Sequence, residues 1–104
     1  MYYDYIAKTR NSLYHIWVGG EGDRVKIRHI WGKDRIEVGA DFDVLGLVQK
    51  GIFSSDKVVE QMKDPDRFLK QLEKAHGVGL GIRYTDHERE GDTSPIIDLY
   101  KVVR

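Results

Sequence analysis

Ser12-Leu-Tyr-His-Ile-Trp-Val18, followed by Gly19-Gly-Glu-Gly-Asp23 and then Arg24-Val-Lys-Ile-Arg-His-Ile-Trp31, is the stretch on which the fold turns. Both flanks are rich in β-branched and aromatic residues and the glycine-rich centre is a turn signal, so together they predict a β-hairpin. The second flank alternates, with Val25, Ile27, His29 and Trp31 on one face and Arg24, Lys26 and Arg28 on the other. Closing the hairpin at Glu21-Gly22-Asp23 predicts a register that pairs Trp17 with Ile27, His15 with His29 and Leu13 with Trp31. Gly32-Lys33-Asp34 then leads into a shorter strand, Arg35-Ile-Glu-Val38, which completes a three-stranded meander.

Further along, the apolar spacing changes from two to three or four. Asp41 or Asp43 can cap a short helix holding Val44, Leu45, Leu47 and Val48 and ended by Gly51, and Ser54, Ser55 or Asp56 can cap a second with Val58, Val59 and Met62. Asp64-Pro65 places an N-cap before a proline at the first helical position, and Phe68, Leu69, Leu72 and Ala75 form the stripe of a third helix. Lys74, His76 and Gly77 are its expected C-terminus. Two strands follow, Val78 to Tyr84 and Ile96 to Val103, joined by the polar run 85–95. The expected fold is therefore α+β in a single domain, 1–104. Its antiparallel sheet has about five strands, the N-terminal meander plus a C-terminal hairpin, packed on two or three central helices.

Composition narrows the function classes. The 104 residues carry 17 Lys+Arg and 17 Asp+Glu, a formal charge of zero, which removes the simplest argument for nucleic acid or an anionic membrane. The absence of cysteine excludes disulfides and thiolate metal sites. No run of ~18 apolar residues occurs, and Met1-Tyr-Tyr-Asp-Tyr5 is not a basic flank leading into an apolar stretch. A cytoplasmic protein without a membrane role is the expectation.

Four arrangements could carry function. The hairpin face holding Tyr14, Ile16, Val18 and Ile30 beside Lys26 and Arg28 is more apolar than a solvated face needs, which suggests a homo-oligomer or a docking surface for another protein. Its alternative covering is the N-terminal segment with Tyr2, Tyr3, Tyr5 and Ile6. Second, Arg24, Lys26, Arg28, Lys33 and Arg35 face only Asp34 over twelve residues, and 44–63 has helix-turn-helix spacing with Lys57 and Gln61 on its second helix. These residues would serve a nucleic-acid-binding regulator. Third, the paired imidazoles of His15 and His29 could supply two metal ligands. Fourth, Asp41-Phe-Asp43 and the acidic loop 86–92, with His87 as a base, could serve a small metal-dependent hydrolase, although no catalytic spacing is matched. Gly77-Val-Gly-Leu-Gly81 follows a helix and enters a strand, the wrong order for a phosphate loop, and suits a shallow groove filled by Trp17 or Trp31. The sequence favours a small non-enzymatic binding protein without a cofactor.

Overall fold

The computed structural model describes residues 3–19, 24–51 and 55–103. The hairpin flanks become β2 (Ser12–Gly19) and β3 (Arg24–Gly32), while the tip 20–23 lies outside the described residues. Their register differs by one residue from the expected one: Ile16 pairs with Ile27, His15 with Arg28 and Tyr14 with His29. Leu13 nevertheless meets Trp31, because Ile30 is an extra residue in β3 and forms a bulge. Side chains alternate with period two, so this shift exchanges the faces of β2. Tyr14, Ile16 and Val18 join Val25, Ile27 and His29 in the core, and His15, Trp17, Lys26 and Arg28 lie on the outer face. The arrangement buries Ile16, Val18, Val25 and Ile27 together without burying a formal charge.

The expected sheet packed on two or three helices is overturned. Among the described residues the chain is mostly sheet, eight antiparallel strands with one short helix. The first expected helix is β4 (Asp41–Gln49), and the second is β5 (Lys57–Gln61); Ser54, offered as one of its caps, lies outside the described residues. Leu45 is a bulge residue: Val44 pairs with Tyr84 and Gly46 with Arg83, with nothing opposite Leu45. That insertion spaces the buried side chains as Phe42, Val44, Leu47 and Val48, which imitates helical periodicity. Arg35–Val38 is not a strand either; β4 pairs with β3 directly, Ile27 opposite Phe42. Ile36 from this connection plugs the core, and its carbonyl accepts from His29 Nδ1 at 3.0 Å.

The helix α1 (Pro65–Glu73) starts where Asp64-Pro65 places it, with the Asp64 carboxylate accepting the Asp66 N–H at 3.2 Å and Phe68, Leu69 and Leu72 buried. The remaining strands are β1 (Asp4–Lys8), β6 (Leu80–Thr85), β7 (Glu90–Asp92) and β8 (Asp98–Val102). The sheet order is β7-β6-β4-β3-β2-β1-β8, with β5 also on β4. β6 and β8 therefore do not form the expected C-terminal hairpin. After β7 pairs with β6, the chain continues along it through Thr93 N–H to Ile82 O and Ile96 N–H to Leu80 O, each 2.8 Å. It then crosses to the other sheet edge, where Ile97 N–H reaches Lys8 O at 2.8 Å and β8 pairs with β1. One run thus links the two sides of the sheet. The glycine groove is also corrected: Gly77 and Gly79 are turn residues with positive φ, and Gly81 faces the Thr93 backbone rather than a tryptophan. Among the described residues no helix is long and apolar enough to cross a membrane.

Candidate functional site

The register shift decides what the outer face offers. His15 stacks on Trp17 with centroids 4.7 Å apart, and the Arg28 guanidinium lies 5.2 Å from the Trp17 ring centroid. His15 Nε2 is 2.9 Å from Asp4 Oδ2. Arg28 binds Asp41 through two nitrogens, one of them at 3.0 Å, Lys26 Nζ sits 2.7 Å from Asp43 Oδ1, and Arg24 reaches the same carboxylate at 3.3 Å. The hydrogen bond from Arg28 holds the Asp41 carboxyl below the usual carboxylate range. β4 therefore neutralises the cations of β3 at close range.

Next to this paired region lies an apolar groove of about 420 Å³ whose lining includes Leu13, Trp31 and Tyr100, with Lys8 and Arg10 among its polar members. The bulge at Ile30 turns Trp31 outward, so a residue that strict alternation places with the core is 65 % exposed. Tyr100 on β8 is 49 % exposed, and its hydroxyl donates to Asp98 Oδ2 at 2.9 Å. Ile30, the bulge residue itself, is exposed beside them. Alternation in the sequence places Trp31 on one face with Val25, Ile27 and His29, and it singles out none of Lys8, Arg10 and Tyr100. The available signal was the break in alternation at His29-Ile30-Trp31, where two apolar residues adjoin before Gly32.

A second, polar cleft of about 560 Å³ lies between the β3–β4 connection and β7. Arg83 grips Asp92 through two nitrogens at 2.8 and 3.1 Å, which holds the guanidinium even further above neutrality, and Lys50 meets Asp56 at 2.7 Å. Tyr14 donates its hydroxyl to Asp34, and the Arg35 N–H also binds that carboxylate. Lys33 and Arg35 line this cleft and are therefore separated from Arg24, Lys26 and Arg28 on the outer face. The acids and bases of the cleft largely satisfy one another.

The expected site residues are thus dispersed. Tyr14 and Ile16 are 2 % and 0 % exposed and cannot share a surface with Lys26, Arg28 and Ile30. Lys57 and Gln61 are exposed on β5, a strand rather than a recognition helix. His15 is outside and His29 inside, so the imidazole pair expected to bind metal is not assembled. Among the described residues no group of three His, Asp or Glu side chains is placed to hold a metal ion. In the acidic loop, Asp86 accepts the Glu88 and Arg89 N–H groups at 2.8 and 2.7 Å, which lowers its pKa and closes the turn. Asp92 is committed to Arg83.

No family model, no curated protein and no solved structure matches the chain.

Proposed function

We propose that this chain is a small non-enzymatic binding protein that docks a protein partner through the outer face of the β2–β3 hairpin, with Trp31 as its anchor. The observation that supports this most is the tryptophan held 65 % exposed by a bulge, in a groove with Leu13 and Tyr100. Large aromatic side chains left outside a closed core are the residue types that concentrate binding energy at interfaces. Lys26, Arg28 and Ile30 remain on the proposed surface; Tyr14 and Ile16 leave it because they are buried. The nucleic-acid alternative loses support because Arg24, Lys26 and Arg28 are tied to Asp41 and Asp43, which limits the counterion release that drives such binding.

The test is site-specific photo-cross-linking in cells with a benzophenone side chain replacing Trp31, and a control replacing the exposed Val59 on β5. A discrete protein adduct from position 31 and not from position 59 is expected, at twice the chain's mass if the partner is a second copy. A nuclease-sensitive adduct, or no protein adduct at position 31, would overturn the proposal.

A further inference from the structure

Lys8, Leu13 and Trp31 lie in one row across β1, β2 and β3, since Lys8 pairs with Leu13 and Leu13 with Trp31. Asp98 on β8 continues the row opposite Lys8, but its carboxylate is occupied by the Tyr100 hydroxyl at 2.9 Å and the Leu99 N–H at 3.1 Å. Neither Lys8 nor Arg10 has a carboxylate within 4.0 Å among the described residues. The neighbouring cations of β3 do: Arg24 and Lys26 have Asp43, and Arg28 has Asp41. The groove therefore combines an apolar floor with two cations whose charge is not met among the described residues.

Resting on the docking surface proposed above, we infer that the occupant is an acidic, apolar segment of a partner protein. It places an apolar side chain against Leu13 and Trp31 and a carboxylate between Lys8 and Arg10. Charge complementarity selects the sign of the partner, and a guanidinium suits a carboxylate through two parallel hydrogen bonds. Two unpaired cations fit a single carboxylate cluster better than a nucleic-acid strand, which needs a track of cations along successive phosphates. Leu13 adds apolar contact that does not stack on bases as an aromatic ring does.

The experiment titrates the full chain, by calorimetry, with a blocked hexapeptide alternating leucine and glutamate, with its lysine-for-glutamate counterpart, and with an oligothymidylate. The glutamate peptide is expected to bind at least about tenfold more tightly than the lysine peptide, and Trp31→Ala or Arg10→Glu to weaken it roughly tenfold. Thermal melts of both variants confirm that each is folded. Equal binding of the two peptides, binding of neither, or preference for the oligothymidylate overturns the inference. So does a dimer in light scattering that Trp31→Ala dissolves, because the groove then holds a second copy. Peptide failure alongside a protein adduct at position 31 removes only the acidic class; peptide failure without that adduct removes the docking surface as well.

Discussion

Three tyrosines show how single side chains stabilise this core. Tyr14 is buried and donates to Asp34, Tyr5 donates to Glu73 at 2.6 Å, and Tyr84 packs edge-on against Phe42 with centroids 5.1 Å apart. Burial is the first cause of a raised pKa in each; the acceptor carboxylates add to it in Tyr14 and Tyr5, and Tyr84 is pushed up to about 12. The ordinary phenol value is about 10. A group whose folded pKa is raised contributes stability that is fully present below its unfolded value and is lost as pH rises through the folded one. The chain should therefore keep Tyr5, Tyr14 and Tyr84 un-ionised in the native state at pH 11, and lose stability steadily above pH 10. Ultraviolet titration of phenolate at pH 11, native against unfolded in denaturant, checks this. Equal ionisation in both states would mean that the three hydroxyls are open to water.

At the scale of elements, β4 is the strand that holds the sheet together and the one hardest to read. It pairs with β3 through Asp41 to Asp43, with β5 through Gly46 to Gln49, and with β6 along its other edge. Gly46 is there because β5 approaches closely: a Cβ at this position would lie 2.3 Å from the Glu60 carbonyl oxygen. Gly46→Ala should therefore push β5 off β4. The readout is hydrogen exchange at the Met62 amide, which donates to Leu45 O at 2.8 Å and should lose most of its protection. Gly77→Ala serves as the comparison, since its φ of 75° carries a backbone cost of about 1–2 kcal/mol but a Cβ would meet nothing within 4 Å. Retained protection in Gly46→Ala would contradict the pairing of β4 with β5.

The same two strands explain what could be read from sequence. β2, β3 and α1 are legible because their signals are local: alternating β-branched residues, and an Asp-Pro cap ahead of a 3.6-residue stripe. β4 and β5 are not, because a bulge at Leu45 breaks the alternation and only long-range pairing shows that the run is extended. The expected exposure of Tyr14 and Ile16 fails because a shift of one residue exchanges every side chain of β2 between core and solvent. The groove at Trp31 was illegible for a related reason: it exists only where the bulge at Ile30 and the arrival of β8 beside β1 bring Leu13, Trp31 and Tyr100 together.

Across the whole molecule, one crossing run links the β6 side of the sheet to the β1 side. The run from β7 to β8 ties β6 to β1, and Lys101 and Tyr5 meet Glu73 to fasten α1. The radius of gyration, 12.5 Å, is close to the ~13 Å expected of a domain this long. On the outer face the charges of β3 are paired while Trp31 is open. One bulge takes Trp31 out of the core and leaves its ring exposed. Acrylamide quenching of a Trp17→Phe variant, whose remaining tryptophan is Trp31, tests it most directly. Red-shifted emission quenched nearly as fast as free tryptophan is expected; blue-shifted emission that acrylamide barely quenches would place Trp31 inside and overturn both the bulge and the proposed docking surface.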